Sequence, residues 1–439
     1  MNKIVFLSLL IFLVGCGGDV GRPKGTPPEE LSIFYSCDTR GYIEPCRCSS
    51  GQAGGISRRM AFLNENEPQD FLLVDAGDVA AGPRDFEVFE MEYVLRGYQA
   101  MGYHAVNAGY REASIDLKTL KELQDQFGFF VSANLLDATG ERVFPAYRIV
   151  DFPNNFRVGI LGVLNDTLAP AELGDGLRIA PPGDAIAQVL PELKEQVDFV
   201  VLLAFCEEET MRELVERFFE IDVIIGGNVI QPTRDPIQVN QSILVYVTDK
   251  GKAIGRLDLG FKKDGKIESS NDIHMLYDTL PTAPEAEEIL DEFKVQLAVM
   301  DFDFLRDDEE GLTRITSSRS ETANRFGDSR RCAECHPQAV EIWEKTKHAH
   351  AIEVLQERGH DHNPRCLKCH TVGFMATDGF KSLETTPILA GVGCGNCHGR
   401  GENHIRFHSG EEVPELTARL GSKDCTMCHD DENSPGFVF

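Results

Sequence analysis

Four copies of one five-residue pattern crowd the C-terminal quarter of the chain: Cys332-Ala-Glu-Cys335-His336, Cys366-Leu-Lys-Cys369-His370, Cys394-Gly-Asn-Cys397-His398 and Cys425-Thr-Met-Cys428-His429. Two thiols at this spacing can add across the vinyl groups of a haem, and the histidine that follows then lies under the iron as its proximal ligand. Structural zinc also uses paired Cys-x-x-Cys, but it does not call for a histidine directly after every second cysteine. The pattern therefore points to four covalently bound haem c groups, with His336, His370, His398 and His429 as proximal ligands. Six further histidines in the same stretch are candidates for the opposite axial position: His348, His350, His360, His362, His404 and His408. Methionine is scarce there, with Met375 and Met427 alone, so bis-histidine ligation is favoured over the histidine–methionine ligation that raises potential.

The rest of the chain must export and position this tail. Of the 12 histidines, all but His104 and His274 lie in the tail, which divides the 439 residues into unlike parts. Lys3 and an apolar run from Ile4 to Val14 read as a secretory signal, too short to span a bilayer as a mature helix. It ends Leu13-Val14-Gly15-Cys16, which resembles a bacterial lipobox with Cys16 as the lipidated residue. The residues after Cys16 favour outer-membrane sorting, and 17–30 read as a flexible tether. Export suits the tail, because covalent haem is attached outside the cytoplasm, where disulfides also persist. The formal net charge of -28 excludes nucleic acid as a natural partner and favours basic redox proteins or other cytochromes.

Residues 31–268 alternate apolar strand segments with helical patterns, for example Leu31–Tyr35, Phe71–Val74, Arg157–Val163, Phe199–Leu203 and Ile243–Val247 between helices such as 87–101, 117–126 and 184–195. That alternation predicts a layered α/β domain. Arg256–Leu259 followed by Lys262-Lys263-Asp264-Gly265-Lys266 predicts a closing hairpin. Residues 269–330 predict an amphipathic helix over 282–300 and then a polar linker. The tail, 331–439, has too few aliphatic residues for an ordinary core, so short helices and loops around haem are expected.

The α/β part resembles the catalytic domain of the 5′-nucleotidase branch of binuclear metallophosphatases. The motifs that carry the resemblance are Ile33-Phe34-Tyr35-Ser36-Cys37-Asp38-Thr39-Arg40-Gly41, Gly54-Gly55-Ile56-Ser57-Arg58-Arg59, Leu72-Leu73-Val74-Asp75-Ala76-Gly77-Asp78 and the segment from Gly102 to Glu112. To these add Val201–Cys206 and Asp222–Ile230. The resemblance implies a layered αββα sandwich. It also implies two metal ions, yet only Asp38 and Asp78 keep ligand-type side chains. Arg40 and Tyr110 stand where the family has a histidine and an asparagine ligand, Arg111 where it has the catalytic histidine, and Cys206, Asn228 and Ile230 where it has further histidines. Such a set cannot hold two catalytic cations, so a catalytically silent site is expected, with Arg40 and Arg111 paired to Asp38 and Asp78. Cys37 and Cys206 are expected to line the old cleft, with Cys46 and Cys48 in a loop over it. These four thiols are open to three readings: disulfides, a thiolate metal or redox site favoured by the arginines, or free thiols.

The tail resembles the tetrahaem cytochromes of the hydroxylamine pathway in nitrifying bacteria. The resemblance rests on Ile342-Trp343 through His348-Ala349-His350, on Cys369-His370-Thr371-Val372-Gly373-Phe374 and on Gly391 through His404. It implies His348 and His404 as the leading distal ligands, with His350 and His408 next, while His360 and His362 flank Asp361 and read as solvated. The expected function is a membrane-anchored electron carrier with the first domain as scaffold or docking module. The alternatives are a haem enzyme acting on a small nitrogen or sulfur compound at an open iron, and a metal-dependent phosphoesterase.

Overall fold

The computed structural model describes residues 24–45, 52–248, 250–300, 302, 324–413, 425–430, 433, 434 and 437. In chain order the first part runs β1 (Glu30–Ser36), α1 (Ile56–Asn66), β2 (Phe71–Asp75), α2 (Asp85–Met101), β3 (Ala105–Asn107), α3 (Tyr110–Ala113), α4 (Leu117–Phe127), β4 (Phe130–Val131), β5 (Leu135–Asp137), β6 (Tyr147–Asp151), β7 (Arg157–Leu164) and β8 (Leu177–Ile179). It continues with α5 (Pro182–Gln196), β9 (Phe199–Phe205), α6 (Glu208–Arg217), β10 (Val223–Gly227), β11 (Ile237–Val239), β12 (Ser242–Tyr246), β13 (Ala253–Phe261), β14 (Ile267–Met275) and α7 (Pro284–Val299).

These strands make two six-stranded sheets, ordered β14-β13-β1-β2-β3-β4 and β11-β12-β10-β9-β7-β6. In the first, β1 to β4 run parallel and the antiparallel strands β13 and β14 close one end; in the second, the inner strands run parallel and antiparallel β11 and β6 close both ends. The period-two alternation of a strand sorts the side chains of the second sheet onto two faces. Val201, Leu203, Val223 and Ile225 enter the core shared with the first sheet, while Val200, Leu202, Ala204 and Ile224 pack against α5 and α6 on the outside. Helices α1, α2 and α7 cover the other sheet, giving the αββα layering. Strand β14 continues to Met275, past the expected boundary at 268. Ala286, Leu290, Phe293 and Leu297 of α7 are buried in the same core, so the helix expected over 282–300 belongs to this layered unit.

Local signals explain where elements stop. Asp116 caps α4 by accepting from the N–H groups of Lys118 and Thr119, and Gly128 ends it in the left-handed region at φ 72°. The tail is made of short helices, Pro337–Glu344, Ala351–Arg358, Pro364–His370, Cys394–His398 and Glu402–His408. Its apolar cluster among the described residues is small: Phe326, Ile352, Leu355, Leu367, Val372, Phe374, Phe380 and Leu389.

Tail and first domain meet at a charged junction. Arg365, the residue before Cys366, donates from Nε and Nη2 to the two carboxylate oxygens of Glu90 on α2, at 2.5 and 2.7 Å. Nη2 also donates to the carbonyl oxygen of Arg40 at 3.0 Å, and the guanidinium lies 4.5 Å from the Tyr42 ring centre. Gly41 permits this approach: its φ is +69°, and a Cβ there would meet Arg365 Nη2 at 2.9 Å. His360 adds a second contact, with Nε2 3.3 Å from Glu44 Oε1.

Glu90 is 1 % exposed, and burial pushes its carboxyl up to about 7 against the opposing pull of Arg365. A carboxyl raised in the folded state binds its proton more tightly there than in the unfolded chain. Its stabilising contribution is complete below the unfolded value and is lost as pH rises through about 7. Chemical denaturation of the wild type and Glu90→Gln across this range should show wild-type stability falling relative to the variant between about pH 4.5 and 7, by about 3 kcal/mol in all. Parallel pH curves would contradict the burial of this group.

Candidate functional site

The strand ends that face the junction build a cleft of about 660 Å³. Its residues follow the carboxyl ends of parallel strands, the usual location of ligands in such sheets: Arg40 after β1, Asp78 after β2, Tyr110 and Arg111 after β3, and Asn228 after β10. The backbone at Asp38, Arg40, Asp78 and Asn228 is left-handed, with φ of 55°, 50°, 57° and 58°. Non-glycine residues in this region cost of order 1 kcal/mol or more each and gather at functional sites.

The two aspartates are paired with the two arginines. Asp38, 1 % exposed, accepts on Oδ1 from Arg40 Nε and Nη2 at 3.2 and 2.9 Å, and on Oδ2 from the Thr248 hydroxyl at 2.7 Å. Asp78 accepts from the Arg111 backbone N–H at 2.9 Å, and Arg111 Nε lies 3.3 Å from its Oδ2. Arg111 Nη1 donates to the carbonyl oxygen of Ala81. Burial and the neighbouring Glu112 carboxyl raise Asp78 well above the ordinary carboxylate range. Asn228 lines the cleft, whereas Ile230 is 95 % exposed and does not.

The thiols depart from expectation. Cys37 and Cys206 are buried and unbridged, and neither lines the cleft. Cys37 packs in the core between the sheets and directs Sγ at the Gly77 carbonyl oxygen, 3.3 Å away, while Cys206 packs in the outer core with α6. Arg40 and Arg111 do not lower these thiols. Burial pushes both up, and nearby carboxylates add to it. Neither is therefore poised as a thiolate, and they form no disulfide with each other. Cys16, Cys46 and Cys48 lie outside the described residues. Among the described residues no cluster of three or more His, Cys, Asp or Glu side chains is arranged to hold a metal ion.

In the tail, the motif cysteines approach one another in pairs. Cys332 of the first motif is in side-chain contact with Cys394 of the third, and Cys369 of the second with Cys428 of the fourth. The imidazoles pair as well. His336 and His404 have ring centres 6.3 Å apart, and His348 and His429 5.9 Å apart. A metal–imidazole bond of about 2 Å, plus roughly 1 Å from nitrogen to ring centre on each side, sets two trans ligands of one iron about 6 Å apart. The residues therefore fit the group the motifs imply.

Ring hydrogen bonds agree with this. His370 Nδ1 donates to the Ala351 carbonyl oxygen at 2.7 Å, which fixes the tautomer and leaves Nε2 bare for a metal, and His429 Nδ1 lies 2.9 Å from the Ser434 hydroxyl. His404 Nδ1 is buried without a hydrogen-bond partner among the described residues. Burial, with His429 beside it, holds His348 below its usual value, in the neutral form that ligates. Trp343 Nε1 donates to the Val392 carbonyl and Val392 N–H to the His348 carbonyl, which ties the His348 segment to the loop before the third motif.

The other candidates separate. His350 is exposed and both ring nitrogens are engaged, Nδ1 with Glu353 and Nε2 with the Glu344 carbonyl oxygen. His408 packs edge-on against His404, with ring centres 4.6 Å apart. His362 lies 4.0 Å from Asp361 and is half exposed. His360 is not solvated: it is 8 % exposed and faces Glu44 across the junction.

Residues 331–399 match the family profile described as cytochrome c554 and c-prime. The tail carries a cytochrome c554 domain. Over 149 residues the chain is 28 % identical to cytochrome c-554 of Nitrosomonas europaea, an overlap of 27 % of this chain and 63 % of that one. A separate match joins it to the 5′-nucleotidase of Vibrio cholerae, 25 % identical over 60 % of this chain and 54 % of the relative. The chain thus spans less than two thirds of the length of either relative. Among solved structures, sulfate thiohydrolase SoxB of Thermus thermophilus superposes with a TM-score of 0.53 at 20 % identity, covering 64 % of this chain and 63 % of that one. A 5′-nucleotidase precursor from the same species gives 0.52 at 22 %, covering 61 % and 59 %. The first part has the metallophosphatase fold, and the tail carries a c-type cytochrome domain, whose family implies covalently bound haem c.

Sequence reasoning passed over Glu90, Thr248 and Arg365. Glu90 had one visible signal, an acidic residue four positions from Phe86 and Val94 on the buried face of α2. Thr248 and Arg365 have none, since their partners are more than 200 positions away. If the imidazole pairs are axial pairs, His348→Ala and His404→Ala should each convert one low-spin haem to high spin in the EPR spectrum, while His350→Ala leaves it unchanged. A high-spin signal from His350→Ala, or none from the other two, would overturn the pairing.

Proposed function

We propose that the protein is an exported tetrahaem electron carrier, anchored to the outer membrane through a lipid on Cys16, whose phosphoesterase-like domain is catalytically silent and serves as the platform on which the cytochrome domain docks. The observation that carries the reading is the imidazole pairing in the tail, at ligand spacing for the first and fourth motifs. Haem, when bound, supplies the one-electron couple. The chain's own residues do the rest. The paired thiols bring the first motif against the third and the second against the fourth, and close spacing favours transfer between sites. His370 and His429 are oriented through Nδ1. Arg365 locks the segment before the second motif onto α2 through Glu90.

The silence of the first domain rests on charge. A binuclear phosphoesterase needs two cations to activate water and clamp phosphate. Here the guanidinium groups of Arg40 and Arg111 are bound to the two aspartates, and the side chains that would complete the ligand set are Tyr110, Cys206, Asn228 and Ile230. Partners are redox proteins with a basic docking face or other cytochromes, matched to the acidic chain. Among the described residues no helix is long and apolar enough to cross a membrane, so the reading assigns anchoring to the lipid on Cys16.

The purified protein should release no phosphate from adenosine monophosphate with added manganese, yet be reduced and reoxidised through its visible haem bands. Cys16→Ser should move it from the membrane to the soluble fraction. Manganese-dependent turnover would restore the phosphoesterase reading, and unaltered membrane partition of Cys16→Ser would remove the anchor.

A further inference from the structure

One short helix, Pro364–His370, carries both thiols of the second motif, its histidine and Arg365. The same helix is held by the first domain, because Arg365 meets both carboxylate oxygens of Glu90 and the carbonyl oxygen of Arg40. We propose that Glu90, acting through Arg365, sets the reduction potential of the haem at the second motif and couples its reduction to the uptake of a proton. The inference rests on the electron-carrier reading and gives the first domain a part in it. The geometry is specific to this motif. Asn363 caps the helix by accepting the N–H of Arg365 at 2.9 Å, Leu367 packs into the apolar cluster of the tail, and His370 is turned by its bond to the Ala351 carbonyl. The guanidinium is thereby fixed next to Cys366. Arg331, which precedes Cys332 in the first motif, pairs instead within the tail, with Glu402 at 2.8 Å.

Reduction adds one negative charge to a haem, so a positive charge held nearby favours it and a negative charge opposes it. A partly buried pair is screened by salt far less than a surface pair. With Glu90 ionised, the pair beside the second motif is neutral. With Glu90 protonated, Arg365 stands uncompensated. Glu90 is 1 % exposed, and burial pushes it up to about 7 against the pull of Arg365, so both states are populated near neutrality. Linkage is reciprocal: if ionisation of Glu90 lowers the potential, reduction tightens its hold on a proton by the same factor. Glu90 therefore takes one proton from solvent as one electron from a redox partner converts the ferric centre to ferrous, and reoxidation returns both. The other charged groups do not replace this pair. Glu87 and Arg84, at the start of α2, act on Glu90 with opposite sign and pair with each other at 2.7 Å. Tyr42 faces the Arg365 guanidinium, and Glu44 meets His360 across the same junction.

The test is a spectroelectrochemical titration of the full-length, haem-loaded protein at about pH 6 and about pH 8. In the wild type one haem couple is expected at a lower potential at the higher pH, changing its oxidised-to-reduced ratio at a fixed potential by about threefold or more. In Glu90→Gln that couple should stay at its acid value at both pH values, with the remaining couples moving less. Glu90→Asp keeps the ionisable group and should keep the step. Glu90→Gln combined with Arg365→Gln leaves neither charge buried alone, so it carries the test if Glu90→Gln fails to fold. Its couple should be independent of pH and lie near the wild-type alkaline value. Cys366→Ser with Cys369→Ser, which cannot attach haem at the second motif, should lose the pH-dependent couple. No step in the wild type, a step that survives in Glu90→Gln or in the double variant, or one that persists without the second haem would each overturn the proposal and leave the electron-carrier reading standing. Absence of any reversible haem couple would instead overturn that reading and this proposal together.

Discussion

The tail has to be held together with very little apolar mass. Eight described residues form its hydrophobic cluster, far fewer than an ordinary core of this length would bury. What the segment has instead is thiol and imidazole, brought together by short helices that cannot be stable alone. The contacts that order them are polar and specific: Trp343 on the Val392 carbonyl, Asp378 on Arg400 at 2.7 Å, and the hydrogen bond from His370 to Ala351. Each fixes the direction of a motif. A covalently attached porphyrin would supply the missing apolar surface, and its axial bonds would join segments distant in sequence, as His336 and His404 or His348 and His429 already approach one another.

The same logic, charge satisfied locally, governs the first domain. Asp38 and Asp78 are buried, and unpaired buried charge is costly. Arg40 and Arg111 answer this within two and thirty-three positions of the aspartates they neutralise. The strand-end backbone stays in its left-handed form. The result is a strand-end cleft whose two aspartates are each paired with an arginine. The cytochrome domain rests against its rim, with Arg365 reaching both Glu90 and the Arg40 carbonyl.

Much of this was legible in the sequence. The layered α/β order follows from buried strands that read as continuous apolar runs, such as Phe199–Phe205, whose seven residues are all buried. The haem-attachment motifs are local and therefore visible. Long-range partners were not: nothing near Glu90 announces Arg365, and nothing near Asp38 announces Thr248. Cys37 and Cys206, expected to line the cleft, instead pack into the two cores, because a strand end alternates its faces. A position next to a ligand need not share its direction, and burial raised thiols that adjacent arginines were expected to lower.

Intact-mass spectrometry of the purified protein, denatured in acidified organic solvent to strip any loosely bound pigment, measures the central claim most directly. A mass excess of four haem groups over the polypeptide is the expected result, with the pigment remaining on the chain. A polypeptide at its unmodified mass, with the colour released into solvent, would contradict covalent attachment at the four motifs and with it the electron-carrier reading.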